Sequence, residues 1–226
     1  MKIKFANHKF TNKDLKIVNN IIKSGWLTHG KYTNAFENEF KNFTNSKFSI
    51  TVSSCTAGLH LSCLALNIKK GDEVIVPAMT HTATSHAVEY TGAKVIFADI
   101  EFPDGNIDIN VLKKKINRKT KAIIVVHMAG NPCKMKEIEI ICKKHKIFLI
   151  EDCAHALGSK YKNKHLGNFG ISGVFSFYPT KQITTGEGGM IITNNKNFYK
   201  KLKILKAFGI DKDINDRKKQ GDYDVK

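Results

Sequence analysis

Between residues 49 and 193 the chain alternates short, almost wholly apolar runs with longer segments in which apolar residues recur at helical spacing. A run without polar alternation is a strand covered on both faces, and strands separated by helices pair in parallel. The pattern therefore confines the chain to an α/β fold with a mostly parallel mixed sheet of about seven strands flanked by helices. The strand runs are 49–52, 73–77, 94–98, 121–126, 146–150, 173–177 and 190–193, and helices are expected at 56–66, 81–90, 108–116 and 135–145. Two amphipathic helices precede the first strand, 12–24 stopped by Gly25 and 32–43 carrying Phe36, Phe40 and Phe43, and are expected to cover the sheet edge. A last helix spans 196–208. No repeat and no Pro- or Gly-rich linker divides the chain, so it reads as leading helices over 1–48, one domain over 49–208 and a polar tail over 209–226.

A formal net charge of +17 raises nucleic acid or an anionic membrane as partner. The basic residues are 35 Lys and 2 Arg, dispersed along the chain, and readers of phosphates and bases favour the planar Arg fork. The excess reads as a compositional bias, and neither nucleic acid nor membrane is the expected partner. Five cysteines form no CxxC and no Cys/His pair at zinc spacing, so reduced thiols and no metal are expected. The N-terminus lacks a continuous apolar segment, and no stretch approaches the roughly 18 apolar residues that span a bilayer, which points to the cytoplasm.

Three clusters fall where expected strands end, which is where open α/β sheets place ligands. Ser53–Gly58 (SSCTAG) sets small hydroxyl residues at a helix start, which suits either an anion or a simple cap by Ser54 or Thr56. In 150–158 (IEDCAHALG) an apolar strand runs into Glu151 and Asp152, with His155 one helical step on. Asp152 could bind a metal with His155, orient a histidine, hold a protonated ring nitrogen or cap a helix. In 176–189 (SFYPTKQITTGEGG), Lys181 lies between aromatics and glycines that pack closely. That placement predicts a partly buried amine, and desolvation suits a lysine to nucleophilic work. The Gly-rich stretch lacks GxxxxGK[ST] and is no Walker loop. A phosphate cradle, a carboxylate for a ring nitrogen and a Schiff-base lysine together are what pyridoxal phosphate requires.

Eight segments in order carry a family resemblance: SGWLTHG, FENEF, SSCTAGLHL, GDEVIVPAMTHTAT, GAKVIFADI, HMAGNPCKM, EDCAHALGSKY and FSFYPTKQITTGEGGM. From about Ser24 to Lys206 the chain resembles the large domain of the DegT/DnrJ/StrS sugar aminotransferases, of the aspartate-aminotransferase fold type I. The resemblance implies that Lys181 carries pyridoxal 5'-phosphate as a Schiff base and moves a proton, while Asp152 sits beside the pyridine nitrogen. It further implies phosphate contacts from Thr56, Ala57 and Ser176, His81 stacked on the ring, and His155 near the ring hydroxyl. The implied reaction moves an amino group from an amino acid, glutamate in the family, to a nucleotide-linked keto-sugar in amino-sugar and polysaccharide biosynthesis, by a homodimer. Dehydratases of the family carry histidine where Lys181 stands, so the lysine points away from dehydration.

The chain departs from the family pattern at Cys55, where Gly is usual, at Gly58, where Ala is usual, and at Ile171, where Asp is common. The first two are expected to change little volume. Family members also continue into a C-terminal small domain, so this chain is expected to lack it, and a truncated, non-catalytic cofactor-binding or interaction module is the alternative reading.

Overall fold

The structure is a computed structural model in which residues 6–210 are described. Helices α1 (Asn12–Lys23) and α2 (Lys31–Thr44) lead into β1 (Phe48–Val52), α3 (Cys55–Ala65), β2 (Glu73–Pro77), α4 (Thr82–Glu89) and β3 (Lys94–Ala98). A short hairpin, β4 (Ile100–Glu101) with β5 (Asn106–Ile107), precedes α5 (Ile109–Lys115), β6 (Thr120–Val126), α6 (Met135–His145) and β7 (Phe148–Asp152). A second hairpin, β8 (Lys160–Tyr161) with β9 (Lys164–His165), leads to β10 (Ser172–Ser176), β11 (Gly189–Thr193) and α7 (Lys196–Lys206).

The seven longer strands form one sheet in the order β1-β11-β10-β7-β6-β2-β3. Strand β11 is antiparallel to β1 and β10, and the remaining pairs are parallel, so every strand but β11 points the same way. Alternation of side chains along the strands supplies two cores. Ile75, Ile123, Val125 and Leu149 pack with Leu112 of α5 and Ile138 of α6 on one face. Val74, Val76, Ile124 and Ile150 pack with Leu59 of α3, Val88 of α4 and Leu202 of α7 on the other. All five cysteines are buried and free, and among the described residues no helix is long and apolar enough to cross a membrane.

Most elements lie within two residues of the sequence expectation, and the differences have local causes. The strand expected at 146–150 occupies Phe148–Asp152, because Lys146 takes the left-handed conformation (φ 55°) that closes α6. The Ile147 amide then bonds the Cys142 carbonyl at 2.9 Å and not a neighbouring strand. No helix follows β7: residues 153–159 form turns, closed by Ala156 N–H to Cys153 O and Ser159 N–H to Ala156 O. Of the two leading helices, α2 packs Phe36 and Phe40 against Phe175 and Phe177. Helix α1 buries no residue, and its stripe of Leu15, Val18 and Ile22 stays exposed, so it does not cover the sheet as expected. Of the tail expected over 209–226, residues 211–226 lie outside the described part.

Two departures from the family pattern acquire physical meaning. Ile171 precedes β10, bonds its amide to Leu149 O at 2.8 Å, and packs its side chain against the core beneath α3 and α7. An apolar residue there joins a core. At Gly58 an added Cβ would lie 2.5 Å from Val174 Cγ1 and 3.2 Å from both Ile191 Cγ1 and Val52 Cγ2, so even the small change in volume expected here has no room. Helix propensity favours Ala over Gly by about 1 kcal/mol, whereas overpacking a filled core costs about 1–3 kcal/mol. Since Val174 is β-branched and stiff, overpacking wins. Gly58→Ala should lower the melting temperature, and the Gly58→Ala/Val174→Ala double variant should be more stable than the sum of the single effects, as read from a thermal double-mutant cycle.

Candidate active site

The C-terminal ends of β1, β7 and β10 lie at one edge of the sheet, together with the start of β11, because Gly189 stands opposite both Val52 and Ser176. At that edge the backbone of Gly189 abuts the beginning of α3. A Cβ on Gly189 would come within 2.7 Å of Ser54 C and 2.8 Å of Cys55 N, so only glycine permits this approach. Ser176 and the first turn of α3 are thereby brought to either side of one tight backbone contact.

Ser54 is the cap of α3: its Oγ accepts the Ala57 N–H at 3.1 Å, which decides between Ser54 and Thr56. The amides of Cys55 and Thr56 stand at the first two helical positions, where no intrahelical carbonyl reaches them. With the positive end of the helix dipole they favour an anion. The Ala57 amide, expected as a phosphate donor, already serves Ser54.

Glu151 and Asp152 end β7, and successive strand residues point to opposite faces. Glu151 is fully buried, accepting N–H bonds from Gly167, Phe169 and Gly170 at 2.7 Å and meeting His127 Nε2 at 3.1 Å. Nδ1 of His127 accepts the Cys133 N–H at 3.2 Å, which leaves Nε2 to donate to Glu151. His127, Glu151 and Cys153 lie close enough to hold a metal ion, but the three amides on Glu151 make this cluster a structural tie.

Asp152 points the other way, toward α3 and α4. It is 4% exposed; its Oδ2 accepts the Thr84 hydroxyl at 2.9 Å, and its Oδ1 accepts the Ala154 N–H at 3.1 Å, with Cys55 Sγ at 3.8 Å. The Ala154 bond makes a short local turn, and no helix is capped. Burial, then the Asp152 charge, pushes the Cys55 thiol well above its ordinary range, so the thiol stays protonated.

Lys181 is half-buried in the turn after β10, its amide bonded to Tyr178 O at 2.9 Å. Its charge acts on Cys55 and on His155, which also senses Asp152 and His81. Lys181, Asp152, His155 and His81 therefore share one electrostatic environment. His155 is half-buried, and Gln182 Nε2 donates to its carbonyl at 2.7 Å. His81 is exposed and caps α4, its Nδ1 accepting the Ala83 N–H at 3.1 Å. A cleft of about 790 Å³ opens between the 27–36 segment, Ala57 of α3 and the Glu187–Gly189 backbone, and of the expected site residues it is lined by Ala57 alone.

Thr56, Ala57, Asp152 and Ser176 thus lie along one edge of the sheet, and Lys181, His155 and His81 are electrostatically linked near it. Sequence reasoning missed Thr84, inside PAMTHTAT, and the Glu151 network; an acid in an otherwise apolar strand was the only signal for the latter. The donor set fits pyridoxal phosphate: an amine for its aldehyde, a carboxylate for its ring nitrogen, imidazoles for the ring, and a helix N-terminus for its phosphate.

Comparison with known proteins agrees. The signature of the DegT/DnrJ/EryC1/StrS aminotransferase family matches residues 8–223. GDP-perosamine synthase of Escherichia coli O157:H7 is 44% identical over 88% of this chain and 55% of its own. Helicobacter pylori PseC, an aminotransferase involved in the biosynthesis of pseudoaminic acid, superposes with a TM-score of 0.91 at 32% identity, over 100% of this chain and 60% of its own. The E. coli GDP-4-keto-6-deoxy-D-mannose-3-dehydratase does so with a TM-score of 0.86 at 34% identity, over 91% and 54%. The chain spans about half the length of the curated relatives it matches.

Burial, reinforced by the nearby Lys181 charge, lowers the proton affinity of His155 below the ordinary histidine range. A depressed imidazole costs stability as pH falls through the unfolded-state value of about 6.5, because the unfolded chain then binds the proton and the folded one does not. Urea unfolding between pH 7.5 and 5.5 should show this loss, and His155→Gln should make the profile shallower.

Proposed function

The chain belongs to the DegT/DnrJ/EryC1/StrS aminotransferase family, and from that premise we propose that it is the cofactor-binding portion of a pyridoxal-phosphate aminotransferase acting on a nucleotide-linked keto-sugar, with an amino acid such as glutamate as donor. The observation that carries this reading is the shared environment of Lys181, Asp152 and His155 beside the free amides of α3. When bound, the cofactor supplies a ring that accepts electrons while an amino group is transferred.

Each residue then has a role that its surroundings support. Lys181 Nζ anchors the cofactor and serves as the base that moves a proton, and its place in a turn between β10 and β11 lets it reach without distorting the sheet. Asp152 keeps the ring nitrogen protonated. Thr56, with the Cys55 and Thr56 amides, and Ser176 across the Gly189 contact hold the phosphate, and Ala57 joins them if its amide leaves Ser54. His81, at the exposed start of α4, covers the ring face, while His155 meets the ring hydroxyl. Residues 49–208 form the binding unit with α2 packed on it, the working enzyme is a cytoplasmic homodimer, and lysine at 181 favours amination over dehydration.

The chain given pyridoxal phosphate should absorb in the visible, and borohydride should fix the cofactor's mass on the peptide containing Lys181. Lys181→Ala should abolish both signals; a band that survives the substitution overturns the assignment. In the enzyme turning over glutamate and a GDP-linked 4-keto-sugar, Asp152→Asn should lower kcat by more than about tenfold, a barrier change above about 1.4 kcal/mol, with cofactor retained. An unchanged kcat would reduce Asp152 to the local turn it makes with Ala154.

A further inference from the structure

Serine and threonine hydroxyls within helices ordinarily bond back to a carbonyl three or four residues earlier. Thr44, Ser62 and Ser85 do so here, onto Phe40, Gly58 and Thr82. Thr84 does not. Its hydroxyl reaches across the fold to Asp152 Oδ2 at 2.9 Å, and its oxygen lies 2.7 Å from the Thr80 hydroxyl. Thr84 is wholly buried, and Thr80 is half-buried.

The direction of this chain follows from the donor count. An ionised carboxylate only accepts, and a hydroxyl has one proton to give. Thr84 gives its proton to Asp152, so Thr80 must give its own to Thr84. The relay Thr80 to Thr84 to Asp152 is polarised toward the carboxylate, and each bond strengthens the next. On the opposite oxygen the Ala154 N–H completes a two-point hold that fixes the carboxylate plane. The Thr84 amide bonds the His81 carbonyl at 3.0 Å, so one helical turn carries both the relay and His81.

We infer that Thr84, backed by Thr80, is a positioning residue for Asp152: its hydroxyl orients the carboxylate and keeps the shared proton on the cofactor's ring nitrogen. The inference rests on the pyridoxal-phosphate reading above. A buried carboxylate that loses a hydrogen-bond donor holds a proton more readily. Without the Thr84 hydroxyl the proton between ring nitrogen and Asp152 shifts toward the carboxylate.

The test loads the chain with pyridoxal phosphate labelled with nitrogen-15 in the ring and reads that nitrogen by NMR at fixed pH, in wild type, Thr84→Val, Thr84→Ser and Thr80→Val. Thr84→Val should move the resonance toward that of unprotonated pyridine and weaken cofactor retention roughly tenfold. Thr84→Ser should keep the wild-type resonance, and Thr80→Val should move it the same way by less. The Thr80 variant also covers the case in which Thr84→Val fails to fold. An unchanged resonance in the valine variants overturns the inference, as does a Thr84→Ser resonance displaced as far as that of Thr84→Val. Loss of stability with an unmoved resonance likewise makes Thr84 merely structural. If Lys181→Ala keeps the visible band, or if Asp152→Asn leaves the ring nitrogen unmoved, the underlying reading fails instead.

Discussion

A single strand end holds this site together. Two adjacent carboxylates close β7, and the pleat sends them to opposite faces of the sheet. Glu151 is shut away from water with three amides and an imidazole around it. A buried carboxylate is costly unless its lone pairs are filled, and those bonds fill them. The segment 167–170 and the turn through His127 and Cys133 are thereby tied to β7 from one side. Because the strand is clamped by Glu151, Asp152 emerges on the other face in one fixed orientation, where α3 and α4 receive it.

The sheet order then decides which chemistry meets which. In sequence, Thr56 and Lys181 are separated by most of the domain. In space, β11 inserts antiparallel between β1 and β10, and its first residue is forced against the start of α3. That contact draws the start of α3 and the end of β10, from which the lysine turn leaves, together near Asp152. Lys181 follows the strand next to β7, so its positive charge falls on the same His155 that feels Asp152. A neutral imidazole near an amine and a carboxylate can accept or donate a hydrogen bond without adding charge.

Much of this was legible in the sequence, for reasons that differ from residue to residue. Strands β2 and β3 each show as a polar residue followed by four apolar ones, and the two cores follow from the alternation of those side chains. Lys181, Asp152 and Thr56 could be singled out because strand ends are where such sheets place ligands. The start of β7 was misplaced, since Lys146 reads as an ordinary residue and only the closure of α6 demands its left-handed conformation. His155 was set one helical step beyond the strand, yet the chain turns there, because Asp152 spends a lone pair on the Ala154 amide. Thr84 looked like any helical threonine. Its role depends on a partner 68 positions away, which no local pattern encodes.

The departures from the family pattern also belong to this geometry. Cys55 places a thiol where a glycine would leave only backbone, and that thiol lies 3.8 Å from Asp152 and 3.7 Å from the Val174 carbonyl. Three residues on, Gly58 gives up a side chain against the same Val174. The first turn of α3 thus carries a thiol toward Asp152 and no side chain toward the β10 core, so the helix sits close to β10. A thiol held protonated by burial is a small apolar body with a weak donor. It lines the carboxylate pocket as a weak donor only, and the strong donors to that carboxylate remain the Thr84 hydroxyl and the Ala154 amide.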